Sequence, residues 1–414
     1  MNIRAVKERE IAGTFGINAA KSDAIRRLLL AAFSFNKCEV RNVGKSEDVV
    51  YTLNALYSLG AEIIKTHEGF LIELKNIYTT EIEVGESALL LRCMMSILSA
   101  LRVETKIRMG DQLKNRPHDE LIDALNSVGA KITRKDEYIT IEGKADLSNI
   151  SIPCDKTSQY VSSLLIAGAI VGNAKIKVVG KIASAGYIGV TRKILNEFGV
   201  KLSLVNNNEI VVNNRPHIDV TTCENDYSSA APFLTLGVIG DVVISNLDSE
   251  SLQPDRRILE ALTLSGAKVE KGRGIRVKQQ ESHPFTFDVY DCPDIGPVVA
   301  MLMATIKGES TLTGLENLRY KESNRLNGII NALKAVNVKC EYEDEKLTIY
   351  GGTVENGEVN AQCDHRLVMA FVVLSILTNK EIIIKNAEGI RKSNPDFFVQ
   401  LGNIGAFAEM LWTQ

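Results

Sequence analysis

The sequence predicts a mixed α/β (α+β) chain of six β-α-β-α-β-β units, three to each of two domains. Three observations predict it. The first is a phrase that recurs along the 414 residues: Leu, three residues, Gly, a small or aliphatic residue, then a strand-like run. Its Gly falls at Gly60, Gly129, Gly199, Gly266 and Gly405, and Asn337 takes that place in the fifth copy. The spacings are 69, 70, 67, 71 and 68 residues, so six units account for the whole chain. The second is a set of helices apolar on nearly every face, which belong in the interior. The third is composition: 45% apolar and 24% charged residues with 6% aromatics, a globular balance whose cores rest on Leu, Ile, Val and Ala.

Each unit follows from local chemistry. The Leu of the phrase closes an amphipathic helix, and the Gly stops it in the left-handed conformation that Gly adopts without strain. Asn337 suits the same place because Asn tolerates that conformation better than other side chains. A strand, a polar turn and a second strand follow, as in Val128–Thr133, the turn Arg134–Glu137 and Tyr138–Gly143. In chain order, the first helix opens at Lys21 and runs through Leu28-Leu-Leu-Ala-Ala. The more apolar helices are predicted at Ser87–Leu101, Tyr160–Val171, Ala230–Ile239, Pro297–Ile306 and Leu367–Leu377. With sheets outside and apolar helices inside, the plan is a two-domain inside-out α/β barrel. One crossover is expected near Glu224–Asp226 and a second near Asn18–Ala20. The domains are then residues 20–225 and residues 1–19 plus 226–414.

Composition also excludes function classes. The chain has 48 Lys+Arg and 51 Asp+Glu, a net charge of -3, which does not suit a nucleic-acid binder. Seven Cys stand singly with no CxxC, which reads as free thiols in a reducing compartment. Five scattered His have no metal-ligand spacing, so no metal is expected. The start MNIRAVKERE lacks the apolar core of a signal peptide, and the apolar run Ala88–Leu101 is too short to span a bilayer. A cytoplasmic protein without membrane association is expected.

Cations gather where helix electrostatics disfavour them. The partly positive N-terminus of a helix repels Lys and Arg. Yet Lys21, Arg26 and Arg27 open the first helix, and Arg116 precedes the helix at His118. Lys321 and Arg325 open the helix at Leu326, Arg366 opens that at Leu367, and Arg391 and Lys392 open the last helix. Arg92 lies within an apolar helix. Singly, each is explained by a neighbouring carboxylate. Together they point to a highly anionic substrate, or two, held in an interdomain cleft, because anions bind where helix N–H groups and cations converge. Neither GxxxxGK[ST] nor GxGxxG after a strand occurs, which excludes those two phosphate-binding loops.

These residues, over essentially the full length, resemble the 5-enolpyruvylshikimate-3-phosphate synthase (3-phosphoshikimate 1-carboxyvinyltransferase) family of enolpyruvyl transferases. Lys21-Ser22-x-x-x-Arg26 resembles its first-helix signature, and Arg116-Pro117 its Arg-Pro segment. Thr157-Ser158-Gln159 resembles its Ser-Ser-Gln, while Ser184 and Tyr187 fall at its phosphate-binding Ser and ring-contacting Tyr. Asp294, Asn317 with Lys321-Glu322-x-x-Arg325, Asp364-His365-Arg366, and Lys392 complete the match. The resemblance implies transfer of the enolpyruvyl group of phosphoenolpyruvate to shikimate 3-phosphate, with phosphate released, on the route to chorismate and the aromatic amino acids. It implies no metal or organic cofactor, and a cytoplasmic monomer is expected. It assigns shikimate 3-phosphate to Lys21, Ser22, Arg26, Thr157, Ser158, Gln159, Ser184, Tyr187, Asp294, Asn317 and Lys321. It assigns phosphoenolpyruvate to Lys21, Ala88, Arg92, Arg116, Gln159, Arg325, Arg366 and Lys392.

The reaction needs groups that carry protons in both directions, and the resemblance makes Asp294 the base, with Glu322 and Lys21 beside it. By local sequence alone, Asp294 also reads as a helix N-cap and Glu322 as the ion-pair partner of Lys321 or Arg325. Thr157 and Ser158 read equally as caps, and Ser184 as part of a turn. His365 is given no catalytic role. One segment departs from the family's Gly-Asn-(Ala/Ser)-Gly-Thr, reading Gly85-Glu86-Ser87-Ala88-Leu89. The family is inhibited by glyphosate beside the inner Gly, so Ala88 leads to an expectation of weak sensitivity. Two alternatives stand: a UDP-N-acetylglucosamine 1-carboxyvinyltransferase, against which Lys21-Ser22 and Asp-His-Arg argue, and a non-catalytic anion-binding paralogue.

Overall fold

A computed structural model describes residues 1–78, 81–205 and 208–411. The chain forms two compact units, residues 19–224 and residues 1–18 with 225–414. Two N-terminal strands, β1 (Asn2–Lys7) and β2 (Ala12–Phe15), precede the first unit. That unit opens with α1 (Lys21–Ala32), β3 (Cys38–Arg41), α2 (Glu47–Ser58), β4 (Glu62–Lys65) and β5 (Gly69–Glu73). It continues with β6 (Glu81–Glu83), α3 (Ala88–Leu101), β7 (Thr105–Arg108), α4 (Asp119–Ser127), β8 (Ala130–Lys135) and β9 (Tyr138–Gly143). The third repeat is β10 (Ile150–Pro153), α5 (Gln159–Val171), β11 (Ala174–Val179), α6 (Gly186–Glu197), β12 (Leu202–Val205) and β13 (Glu209–Val212), followed by β14 (Val220–Thr222).

The second unit carries α7 (Tyr227–Leu236), β15 (Asp241–Ile244), α8 (Ile258–Leu264), β16 (Lys268–Gly272) and β17 (Gly274–Lys278). Next come β18 (Thr286–Asp288), α9 (Gly296–Thr305), β19 (Gly308–Thr313), α10 (Arg325–Ala335), β20 (Lys339–Glu343) and β21 (Lys346–Gly351). The last repeat is β22 (Gly357–Asn360), α11 (His365–Thr378), β23 (Ile382–Lys385), α12 (Phe397–Gly402) and β24 (Ala406–Leu411).

Among the described residues the strands make six four-stranded sheets of one design. Each has one parallel pair and an antiparallel pair, and in four of them the parallel strands are joined by a crossover that contains a buried helix. Two sheets borrow strands from far along the chain. β14 lies parallel to β3, and β2 lies parallel to β15. In the last sheet the missing fourth strand is β1, antiparallel to both β23 and β24.

All six phrase positions adopt the left-handed conformation, with φ from 58° at Asn337 to 106° at Gly129. The space there is narrow: a Cβ on Gly266 would lie 2.2 Å from the carbonyl oxygen of Glu281. Each unit has its own core. α3 and α5 are buried along nearly their whole length, as are α7, α9 and α11. Their all-round apolarity leaves no face for water, so they fill the interior while the other helices and the sheets enclose them.

Three local expectations are corrected. Arg391 and Lys392 do not open the last helix; they end a 3-10 turn, Ala387–Lys392, and α12 begins at Phe397. Asp294 does not cap α9, whose N-cap is Ile295. The predicted helix Ala230–Ile239 begins at Tyr227 and tightens into a 3-10 turn at Gly237–Ile239.

Candidate functional site

The candidate residues fall into one constellation in each unit. In residues 19–224 they sit at the starts of α1, α3, α4, α5 and α6. The first turns of α3 and α5 contain no acidic residue, and neither Ser87 nor Ser158, their N-cap residues, caps its helix through the side chain. Ser158 is the N-cap of α5, and Thr157 Oγ1 accepts a hydrogen bond from the Gln159 amide at 3.2 Å.

The cations there divide sharply by partner. Arg26 is 1% exposed, and its Nε donates to Thr191 Oγ1 at 2.8 Å while Nη1 donates to the Ser22 carbonyl at 2.6 Å. Among the described residues no carboxylate forms an ion pair with it. Burial accordingly lowers its pKa from the ordinary Arg value. Arg27, its neighbour, is neutralised: Nε meets Asp23 at 2.6 Å and Nη1 meets Glu197 at 2.6 Å. Lys21 reaches Asp48 at 2.8 Å.

Arg92 is aimed by three groups. Nη1 donates to Gln159 Oε1 at 2.5 Å and Nη2 to the Pro117 carbonyl at 2.7 Å, while the guanidinium lies 5.2 Å from the centre of the Tyr160 ring. Tyr160 also donates to Pro117 O and to Glu120. The structure therefore brings Arg92, Gln159 and the Arg116-Pro117 segment together. Buried His118 completes this corner. Burial first, and then Arg92, hold its pKa well below the ordinary value, so its Nε2–H donates to Leu113 O at 3.0 Å as a neutral ring. Ser184 is nearly buried and left-handed, φ 55°, immediately before α6, which begins with Gly186 and Tyr187. A left-handed Ser is a strained choice, of the kind that collects at functional sites. Ala88 is the buried first residue of α3.

The second constellation joins α9, α10, α11 and the 387–392 turn. Arg325, fully buried at the start of α10, is its hub. It meets Asp294 at 2.8 Å, Glu322 at 2.7 Å and Asp364 at 2.8 Å. Asp294 also faces Lys321 at 3.6 Å and Arg366 at 3.4 Å. Burial pushes the Asp294 carboxyl up, but Lys321, Arg325 and Arg366 outweigh it and hold it well below the usual Asp range. Glu322 links Arg325 to Lys392, 3.1 Å away. Asn317 donates to the Tyr290 carbonyl at 3.3 Å. Arg366 is 4% exposed, and its Nε and Nη1 are buried without a hydrogen-bond partner, a costly arrangement unless a ligand completes it.

Asp364 was missed as a site residue. Its carboxylate binds Arg325, accepts from Ser323 at 3.0 Å and caps α11 through the Arg366 amide at 2.8 Å. The sequence signal was its place as N-cap before a helix; nothing local indicated that Arg325 would reach it. Asp48, Thr191 and Tyr160 were likewise invisible as partners. Among the described residues no group of three or more His, Cys, Asp or Glu side chains is arranged to hold a metal ion. No described helix is long and apolar enough to cross a membrane.

Comparison with known proteins gives a consistent picture. The family model described as EPSP synthase (3-phosphoshikimate 1-carboxyvinyltransferase) matches residues 6–401. A 3-phosphoshikimate 1-carboxyvinyltransferase of Dehalococcoides mccartyi is 33% identical over 404 residues, 95% of this chain and 96% of that one. One from Brachyspira hyodysenteriae is 31% identical over 415 residues, 97% of this chain and 98% of that one. Among solved structures, an EPSP synthase from Acinetobacter baumannii aligns with a TM-score of 0.80 over 99% of this chain and all of that one, at 22% identity. The enolpyruvyl transferase NikO from Streptomyces tendae aligns with a TM-score of 0.74 at 14% identity, covering 99% and 98% of the two chains. At these identities the solved structures speak to the fold.

Proposed function

Because the chain belongs to the EPSP synthase (3-phosphoshikimate 1-carboxyvinyltransferase) family of transferases, we propose that it transfers the enolpyruvyl group of phosphoenolpyruvate to the 5-hydroxyl of shikimate 3-phosphate. The observation that carries this reading is the ion network around Asp294. Two carboxylates, Asp294 and Glu322, stand among Lys321, Arg325, Arg366 and Lys392, and two buried nitrogens of Arg366 await an acceptor.

The proposed chemistry uses that arrangement. Asp294 takes the 5-hydroxyl proton as the oxygen attacks C2 of phosphoenolpyruvate, and a proton is delivered to C3. The adduct then loses a C3 proton and the phosphate, giving the enolpyruvyl ether. In the free enzyme the cations around Asp294 make it a weak base. Anionic substrates compete for Lys321, Arg325 and Arg366, which releases the carboxylate to accept a proton. Glu322, tied to Arg325 and Lys392, is the second proton carrier, and Lys21 assists. The phosphate of the acceptor suits Arg26, which is buried and forms no ion pair among the described residues, together with Thr157, Ser158, Gln159 and Ser184, with Tyr187 against the ring. Asn317 and Lys321 complete the acceptor's set. Phosphoenolpyruvate falls to Arg92, Arg116, Arg325, Arg366 and Lys392, beside Ala88. Fixed cations stabilise the charge that builds in the adduct.

A phosphate-release assay tests the reading. With phosphoenolpyruvate and shikimate 3-phosphate, and no added metal, phosphate and an enolpyruvyl ether are expected. Release with UDP-N-acetylglucosamine instead, or with neither acceptor, would overturn it.

A further inference from the structure

Glu86 stands at the least expected position in the chain, a carboxylate at the edge of an anion-binding constellation. Its side chain does not pair with Arg92. Oε2 accepts from the Leu113 amide at 2.7 Å and Oε1 from the Gln112 amide at 3.2 Å. These amides lead the 3-10 turn Leu113–Asn115, so the carboxylate caps a turn whose donors would otherwise lack a protein partner. A charged acceptor makes such bonds roughly twice as strong as neutral ones.

The turn is fixed at its other end too. The Leu113 carbonyl accepts from the Arg116 amide at 3.1 Å and lies 3.0 Å from His118 Nε2. The approach of Glu86 is permitted by Gly110. Its amide donates to the Gly85 carbonyl at 2.8 Å, and a Cβ on it would lie 2.2 Å from Glu86 Oε1. Glu86 therefore ties the segment entering α3 to the segment that ends in Arg116 and Pro117. Pro117 in turn holds Arg92 through its carbonyl.

We propose that Glu86 is a positioning residue for Arg116, acting through the Gln112 and Leu113 amides. It rests on the reading that Arg116 meets phosphoenolpyruvate. A carboxylate beside that substrate repels it, so the benefit of Glu86 comes through the turn it caps. Small displacements of a substrate-holding cation are costly, since binding and orientation depend on sub-ångström placement.

Kinetics of the full chain test the assignment. Glu86→Ala is expected to raise KM for phosphoenolpyruvate about tenfold or more, with a much smaller change in KM for shikimate 3-phosphate. Glu86→Gln retains a neutral acceptor and should recover part of the loss. Gly110→Ala, which pushes the carboxylate off its amides, should reproduce the Glu86→Ala defect. In the double variant the two losses should not multiply, because with Ala at 86 the added methyl has room. Circular dichroism and melting curves confirm that each variant folds. Unchanged KM for phosphoenolpyruvate in both single variants, equal losses for both substrates, or multiplied losses in the double variant would overturn the assignment. A wild-type chain that transfers no enolpyruvyl group would overturn the underlying reading and this inference with it.

Discussion

Arg26 and Arg27 are adjacent, buried and chemically identical, yet they face opposite problems. Arg27 meets Asp23 and Glu197, whereas among the described residues Arg26 donates to a hydroxyl and a carbonyl. Removing one member of a buried pair strands the other, so Arg27→Met is expected to cost about 3–5 kcal/mol of stability, read from urea unfolding. Arg26→Met removes a buried charge without stranding a carboxylate and should leave stability nearly unchanged while abolishing tight binding of shikimate 3-phosphate, measured by calorimetry. Equal destabilisation by both would contradict the distinction. Asp294→Asn should lower kcat by roughly 10²–10⁴-fold, the usual loss of a general base. Acceptor binding should hold or tighten, because three cations lose an internal competitor. Near wild-type turnover would reduce Asp294 to a structural anion. Ala88 supports a third expectation, weak inhibition by glyphosate, since an extra methyl in a tight site costs ~1–3 kcal/mol. Inhibition competitive with phosphoenolpyruvate at low micromolar glyphosate would show that Ala88 lies away from the inhibitor. Which cation would find a carboxylate could not be read locally: Glu197 is far from Arg27 in sequence, and a side chain's reach depends on the packed backbone.

Among the elements, the repeated helix stop was the most legible feature because its cause is local. A left-handed residue after a helix is selected by its own backbone. The six positions are not equivalent, however, since their surroundings differ. At Asn337 the side chain reaches Glu355 at the surface, so Asn337→Ala should cost only ~1 kcal/mol, the left-handed strain of a non-Gly residue. At Gly266 the added methyl would lie 2.2 Å from Glu281 O, so Gly266→Ala should destabilise clearly more. Melting temperatures of the two variants give the order, and a smaller loss at Gly266 would count against the steric account. The apolar helices were equally legible, because all-round apolarity admits only burial. Their starts were harder. The Asp294 carboxylate looked like a cap but is drawn to Arg325, whose charge outweighs a neutral amide donor. Lys392 looked like a helix opener, but the segment before α12 tightens into a 3-10 turn that delivers it to Glu322.

For the whole molecule, the candidate cations are divided between two units that fold on separate cores. If both sets engage the same pair of substrates, saturating shikimate 3-phosphate should reduce the radius of gyration in small-angle scattering. An unchanged profile at saturation would contradict that shared engagement. The sequence by itself determined the six-unit repeat, the buried helices, the strand pairs that flank each polar turn and the types of residue that bear the chemistry. Each of these rests on periodicity or on the conformational preference of single residues, which are local properties. The tertiary structure alone decided that β1 completes the last sheet, that β14 and β2 join sheets built from remote segments, and that Arg325 gathers Asp294, Glu322 and Asp364. It also decided that Glu86 caps a turn instead of pairing with Arg92. Such choices are made by competition among all donors and acceptors that the packed chain brings within about 3 Å, and no single stretch of sequence contains that comparison.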